Sequence, residues 1–179
     1  MVRDSFARPE DANLTANDPR TEEATRHPAS PPCYAHELAP EPMATSEVLA
    51  FLNNLLEGER AGAQGLAAMA KQVADGALNA LLLDVARDEG RYCVMLRSHI
   101  DRLGGDASRE TGVFYEKLMA REGLAAKLKL LDRGQSAVVR AIDDALPRIG
   151  DAALATDLVE MRDVHVRNIA RCAAVVVPA

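Results

Sequence analysis

Aromatic residues are scarce in this sequence, and other absences narrow the class of protein further. The 179-residue chain has no Trp, three Phe and three Tyr. This composition disfavours β-sheet and, together with the many Ala and Leu residues, favours helices. No apolar run is long enough to span a lipid bilayer, and no apolar signal core stands near the first residue. We therefore predict a cytoplasmic helical protein that has no membrane segment.

Charge and cysteine content exclude two more classes of protein. The formal net charge is −6, so the chain lacks the basic surface that nucleic-acid binding requires. The three cysteines are an odd number without the paired spacing of a zinc site, which fits free thiols in a reducing compartment. The sequence contains no Gly-rich phosphate loop and no nucleophile–base arrangement, so it predicts no catalytic residue.

Residues 1–42 differ in composition from the rest of the chain. They contain seven of the nine prolines and four Arg against eight Asp and Glu, and they show no apolar periodicity. Such a segment cannot bury enough apolar surface to offset the entropy that it would lose on ordering. The sequence therefore predicts a disordered N-terminal tail over residues 1–42 and one helical domain over residues 43–179.

Apolar residues recur with helical spacing throughout the second part of the chain. The pattern predicts four long helices, near residues 46–74, 77–103, 124–149 and 151–176. The loops after the first and third helices are short, so each of these helices forms an antiparallel hairpin with the next one. The connection 104–123 is long enough to cross a bundle of about 40 Å. We therefore expect an all-α antiparallel four-helix bundle with one long crossover between its second and third helices.

One polar residue interrupts the apolar stripe of each predicted helix. These residues are Glu59, Glu89, Gln135 and His165, and each has apolar residues four, seven and eleven positions before and after it. On a helix, these offsets keep the apolar side chains within about 40° of the central one. Because each polar residue lies at the middle of its stripe, we expect all four at one depth, facing the axis of the bundle.

Four segments surround these polar residues: LNNLLEGERAGA, DVARDEGRYCVML, LDRGQSAVVR and LVEMRDVHVRNIARC. In these segments, residues 46–176 resemble the small, poorly characterised bacterial ferritin-like proteins. Members that bind two irons supply Glu from two helices and Glu-x-x-His from the other two. The resemblance implies a ferritin-like fold, in which Glu59 and Glu89 match two of the metal-binding glutamates.

The chain departs from the di-iron pattern at the remaining ligand positions. Tyr92 and Asn168 stand where the histidines would be, while Gln135 and His165 stand where glutamates would be. Two neighbouring irons need negative charge that these residues do not supply, so di-iron chemistry is not expected.

The residues that are left predict a simpler metal site. Glu59, Glu89 and His165 would ligate one divalent ion, and mixed oxygen and nitrogen ligands suit Mn, Fe or Zn. Three further residues would stand beside the ion: Tyr92, Gln135 and Asn168. By family analogy, such a protein would act in metal handling or in the response to oxidative stress.

An alternative interpretation needs no metal. His165 as an imidazolium, helped by Arg162, Arg60 or Arg91 reaching inward, would neutralise the two buried carboxylates. The protein would then be a non-catalytic helical module whose function is association with a partner. For both alternatives we expect a homodimer. His99, about 15 Å along the helix from Glu89, is expected at the surface.

The composition of the tail generates the first testable prediction. A chain that begins at Met43 should melt at the same temperature as the full chain within experimental error, because a disordered tail contributes no packing. Thermal unfolding of the two proteins, followed by circular dichroism, tests this. A clearly lower melting temperature for the shorter chain would show that the tail packs against the helical domain.

Overall fold

The computed structural model describes residues 40–176 of the protein, without the side chain of Val176. This part of the chain contains five α-helices and no strand. The helices are α1 (Thr45–Ala70), α2 (Gly76–Arg102), α3 (Phe114–Met119), α4 (Leu124–Ala145) and α5 (Ala152–Val176). Within the described residues, no helix combines the length and the apolar character that crossing a membrane requires.

The tail over residues 1–42 lies outside the described residues apart from its last three, so its disorder stays a prediction. The last residues of the tail and Met43 contact the helical domain. The Met43 amide donates to the Arg148 carbonyl at 2.9 Å, and Arg148 Nε donates to the Glu41 carbonyl at 3.0 Å. A chain that begins at Met43 therefore keeps the first of these hydrogen bonds and loses the second.

Two helix ends differ from the predicted ends, because local hydrogen bonding decides them. The first long helix ends at Ala70 and not near residue 74. Its terminal carbonyl accepts from the Asn79 side chain at 2.6 Å, and Asp75 Oδ1 accepts from the Leu78 amide at 2.8 Å, which caps α2. The third long helix, α4, ends at Ala145 and continues as a short 3-10 helix that contains Pro147, since proline lacks the amide that a longer α-helix would need.

Two apolar clusters fill the bundle, on either side of its middle. One combines residues near the start of α1, the end of α2, the end of α4 and the start of α5, for example Leu52, Leu96, Ile142 and Leu158. The other combines the opposite helix halves, for example Leu66, Leu82, Leu131 and Cys172. This pairing makes α1 antiparallel to α2, α4 antiparallel to α5, and α2 parallel to α4. The predicted four-helix bundle with one long crossover is confirmed.

A row of α1 side chains holds the first half of the crossover. Asn53 Oδ1 accepts from the Ser108 amide at 2.7 Å, and Ser108 Oγ donates to Glu57 Oε1 at 2.6 Å. Arg60 donates to two crossover carbonyls, and the Gly112 amide donates to the Glu57 carbonyl at 3.1 Å. Asn53, Glu57 and Arg60 lie on one face of the helix because they are spaced by four and three residues.

Glycines let the second half of the crossover, α3, approach α1 and α4 closely. A Cβ atom at Gly65 of α1 would lie 2.6 Å from Leu118 Cδ2, and one at Gly134 of α4 would lie 2.7 Å from the ring of Phe114. Leu118 is fully buried. The crossover helix thus contacts α1 and α4 at two points where no side chain intervenes.

His99 is buried, so its predicted surface position is wrong. Only 7% of the residue is exposed, because the first half of α5 packs over this end of α2. Its Nδ1 lies 2.8 Å from Arg102 Nη2, which can only donate, so Nδ1 accepts. Nε2 then donates to Asp157 Oδ2 at 2.7 Å. Since Arg102 also binds Asp151 at 2.7 Å, His99 belongs to a polar connection between α2 and α5.

Candidate functional site

The four central polar residues lie between the two apolar clusters and form two hydrogen-bonded pairs. Glu59, Glu89, Gln135 and His165 are 2%, 3%, 4% and 2% exposed. Nε2 of His165 lies 3.1 Å from Oε1 of Glu59. Nε2 of Gln135 donates to Oε1 of Glu89 at 3.0 Å. Each pair joins two helices, α1 with α5 and α2 with α4, so the predicted polar layer at the middle of the bundle exists.

The preceding turn of α5 fixes the imidazole of His165. Nδ1 lies 2.9 Å from the carbonyl oxygen of Met161, four residues earlier. Because a carbonyl can only accept, Nδ1 carries a hydrogen and donates it. The ring is thereby held with Nε2 towards Glu59.

The pKa values of His165 and Glu89 in this layer are both raised. Burial disfavours the charged imidazole of His165, but the charge and the hydrogen bond of Glu59 outweigh burial and raise the pKa of His165 to about 9. Burial, followed by the negative charge of Glu59, raises the pKa of Glu89 well above its usual value. Near neutral pH, His165 is therefore an imidazolium beside Glu59, and burial favours the protonated form of Glu89.

One oxygen in this layer has no partner. Glu59 Oε2 is fully buried and makes no hydrogen bond, and within residues 40–176 it is the one buried side-chain oxygen or nitrogen in that state. A cavity of about 220 Å³ adjoins the polar layer. Its lining comprises Gly58, Glu59, Gly62, Glu89, Phe114, Leu131, Gly134, Gln135, Ala137, Val138 and His165. An unpaired buried carboxylate oxygen is costly, so it marks the place where a donor or a cation would be stabilised.

The three arginines that were predicted to neutralise the buried carboxylates bind other groups. That part of the alternative interpretation is wrong. Arg60 binds carbonyls of the crossover. Arg91 binds Glu160 at 2.6 Å, and Arg162 binds Asp163 at 2.7 Å. Long, flexible side chains on the flank of a stripe reach solvent and surface carboxylates at a lower desolvation cost than the core.

Two further predicted residues lie near the layer but do not line the cavity. The Tyr92 ring stacks at an angle beside His165 with 5.8 Å between ring centroids, and its hydroxyl accepts from Arg91 Nη2 at 2.9 Å. Asn168 Nδ2 donates to Asp88 Oδ2 at 3.0 Å. Tyr92 therefore packs against the imidazole, whereas Asn168 connects α5 to α2.

The predicted ligands Glu59, Glu89 and His165 are not grouped around one point as they would be around a metal ion. Within the described residues, no three His, Cys, Asp or Glu side chains are grouped as they would be around a metal ion. Glu59 and His165 bind each other, and Glu89 binds Gln135. The donor set of two carboxylates, one imidazole and one amide carries too little negative charge for two irons, but it suits one divalent ion. The assignment of Glu59, Glu89 and His165 as ligands stays a prediction.

The sequence interpretation missed the glycines beside the polar layer. A Cβ atom at Gly62 would lie 1.8 Å from Glu89 Oε2, so the Glu89 carboxyl group occupies the space that a side chain would take. Gly58 and Gly134 also line the cavity. The sequence does contain a signal for these glycines. Gly58, Gly62 and Gly65 are spaced by four and three residues, so they lie on one face of a predicted helix, where glycine is destabilising.

Comparison with known proteins places the chain in a family. The family model described as Domain of unknown function (DUF6306) matches residues 46–174. The chain belongs to this family. The DUF6306 domain is similar in fold to a ferritin-like, diiron-carboxylate protein of Bacillus anthracis str. Ames, with a TM-score of 0.68, 15% identity, and coverage of 75% of this chain and 100% of that one. The predicted ferritin-like fold is confirmed. No match was found among curated proteins.

The contact between Gly62 and Glu89 generates a mutational prediction for the DUF6306 domain. Gly62→Ala should destabilise the fold by about 1–3 kcal/mol, because the new methyl group displaces the Glu89 carboxyl group. Gly58→Ala is the matched control in the same helix, since a Cβ there meets nothing within 4 Å. The control should stabilise the fold by roughly 0.5–1 kcal/mol. Urea unfolding midpoints measure both, and equal stabilities of the two variants would contradict this account.

The raised pKa of His165 predicts how stability depends on pH when no metal is present. The pKa of His165 is about 9 in the folded state, against 6.5 for an unperturbed histidine. The pair with Glu59 therefore contributes fully below pH 6.5, and its contribution of roughly 3 kcal/mol disappears as the pH rises to 9. Comparing the free energy of unfolding of the wild type and His165→Gln at several pH values isolates this effect. Parallel pH profiles would refute it.

Proposed function

We propose that the polar layer of this ferritin-like domain binds one divalent metal ion. Glu59, Glu89 and His165 would be the ligands, and the carbonyl oxygen of Gln135 would lie alongside. The observation that carries this proposal is Glu59 Oε2, which is buried without a partner beside a cavity. A divalent cation would supply the missing interaction for this oxygen.

The orientation of His165 supports the same proposal. The hydrogen bond from Nδ1 to the Met161 carbonyl leaves Nε2 as the ring nitrogen that faces the layer. Metal-binding histidines are commonly held in this way, because the hydrogen bond of one nitrogen fixes the orientation and the protonation of the other. Carboxylate oxygens and imidazole suit Mn, Fe or Zn, and such an ion would supply Lewis acidity or, as Fe or Mn, redox chemistry.

Metal binding would compete with protons. The pKa values of His165 and Glu89 are raised in the absence of metal, whereas ligands must be deprotonated. Apparent affinity for the ion should therefore increase as the pH rises from 6 to 9. The class of function that we propose is metal handling or the response to oxidative stress. The same proposal includes the cytoplasmic location and the homodimer that the sequence predicts.

Thermal unfolding with Mn²⁺, Fe²⁺ or Zn²⁺ tests the metal site. Metal that binds only the folded state must raise the melting temperature, so the wild type should be stabilised and Glu59→Gln/His165→Gln should not. Glu122→Gln is the matched control, because this exposed carboxylate lies outside the polar layer, and it should respond as the wild type does. Elemental analysis of protein purified without chelators provides a second measurement.

The second candidate function is association through a bundle whose polar layer is only structural. It is favoured by the internal pairing of the layer, in which Glu59 meets an imidazole and Glu89 meets an amide. If the wild type shows neither bound metal nor a metal-dependent shift, the metal proposal is wrong and this candidate takes its place. The double variant, which keeps polar groups of similar size, should then have near-normal stability.

A further inference from the structure

Three cationic side chains line one small surface cavity at the junction of α3 and α4. Arg121 comes from the turn between the two helices, and Lys129 and Arg133 come from α4. Leu130 and Ala126 complete the lining, so none of the described residues places a carboxylate in this wall. The cavity has a volume of about 170 Å³. Three positive charges therefore share a small space in a chain whose net charge is −6.

The path of the backbone places the three cations together. Lys129 and Arg133 are four residues apart, so they lie on one face of α4. Gly123 has a φ of 76°, a left-handed conformation that suits glycine, and it turns the chain between Arg121 and the start of α4. The Arg121 amide donates to the Leu118 carbonyl at 3.2 Å, which fixes the backbone before this turn. The grouping of the cations therefore follows from the fold.

The protein does not neutralise these three charges within residues 40–176. Their side chains form no hydrogen bond and no ion pair there, whereas Arg148, for example, binds Glu47 at 3.3 Å. The nearest carboxylates along the chain, Glu122 and Asp132, do not line the cavity. Like charges at a four-residue spacing destabilise a helix, and the additional charge of Arg121 increases the repulsion. An anion bound in the cavity would remove this repulsion.

A second cavity provides a contrast, because its arginines stand beside carboxylates. It is lined by Arg60, Arg97 and Arg109, together with Asp101 and Asp106. Arg60 is also held by hydrogen bonds to two crossover carbonyls. Opposite charges in one wall offset each other, so this second cavity has a weaker positive field than the one at the α3–α4 junction.

We propose that the cavity formed by Arg121, Lys129 and Arg133 binds a phosphate group, either as inorganic phosphate or as the end of a small phosphate monoester. Coulomb attraction increases with the charge of the anion, and a guanidinium group binds two phosphate oxygens at once. The volume of about 170 Å³ exceeds the roughly 150 Å³ that suffice for benzene, so a phosphate group fits. Leu130 offers an apolar surface to the rest of an ester.

This phosphate site is separate from the polar layer. Arg133 precedes Gln135 by two residues, which is about 200° around a helix, so the two side chains lie on opposite sides of α4. Arg133 is exposed and Gln135 is buried. The proposal therefore goes beyond the proposed metal function and involves none of its ligands. Tests on metal-free protein keep the two apart, because phosphate binding there neither requires nor excludes a metal site.

Isothermal titration of the chelator-treated full chain tests the proposal. The probes are inorganic phosphate and phenyl phosphate at about pH 8, where a phosphate group carries nearly two charges, and sodium acetate at equal ionic strength is the comparison. Phosphate should bind at least tenfold more tightly than acetate, because one charge-assisted hydrogen bond is worth a factor of this size.

The two phosphate probes also distinguish the source of the ligand. Tighter binding of phenyl phosphate than of inorganic phosphate supports a monoester, since only the ester contacts Leu130. Equal or weaker binding of phenyl phosphate supports inorganic phosphate. No binding of either probe, or an affinity no higher than that for acetate, would overturn the proposal.

Matched variants locate the binding. Lys129→Gln/Arg133→Gln should lower the affinity for phosphate at least tenfold, whereas Arg97→Gln should bind as the wild type does, since Arg97 lines the other cavity. Arg133→Lys keeps the charge but loses the two-point contact, so its affinity should lie between those of the wild type and the double variant. All of these changes replace exposed side chains, so the variants should fold. Unchanged binding in the double variant, or an equal loss in Arg97→Gln, would refute the proposal.

Thermal unfolding provides a second measurement on the same proteins. Without phosphate, Lys129→Gln/Arg133→Gln should melt above the wild type, because the substitution relieves the repulsion between cations. With phosphate in excess the order should reverse, since a ligand that binds only the folded state stabilises the wild type. An order of melting temperatures that phosphate does not change would count against the site.

Discussion

Two carboxylic acids in the middle of a helical bundle impose the constraint on which the other features of this domain depend. A carboxyl group removed from water must be paired, protonated or bound to a cation. Glu59 is paired with His165, while Glu89 accepts a hydrogen bond from Gln135 and its pKa is raised by burial, which favours the protonated form. Because these partners come from different helices, all four long helices must keep one register. A shift of one helix by a single turn would leave a buried carboxyl group without its partner.

The crossover and the glycines follow from the same constraint. The Glu89 carboxyl group fits against α1 only because residue 62 is glycine. Phe114 of the crossover packs on Gly134 and covers part of the cavity beside the layer. The hydrogen bonds from Asn53, Glu57 and Arg60 hold the preceding segment against α1 and so position α3. Close approach of neighbouring segments at glycines therefore shapes the surroundings of the polar layer as much as side-chain contacts do.

The charge of the layer limits what it can do. A glutamine and a histidine occupy places where a di-iron protein would have glutamates. The imidazolium of His165 offsets the charge of Glu59, and the pKa values of both His165 and Glu89 are raised. This balance disfavours two metal ions and leaves a single unsatisfied oxygen, Glu59 Oε2. A divalent ion, as proposed, would satisfy that oxygen.

The sequence by itself determined the four-helix bundle, its crossover and the depth of the polar layer. Apolar periodicity and loop length are local properties, and a residue at the centre of each stripe must lie at the centre of the bundle. Only the tertiary structure decided which polar groups meet. Glu59 binds His165, Asn168 binds Asp88, and His99 is buried against Asp157. Three features depend on which helix faces lie opposite each other: the pairing of polar side chains, the burial of a helix end and the space that a glycine leaves. The sequence of one helix does not specify which face of another helix packs against it.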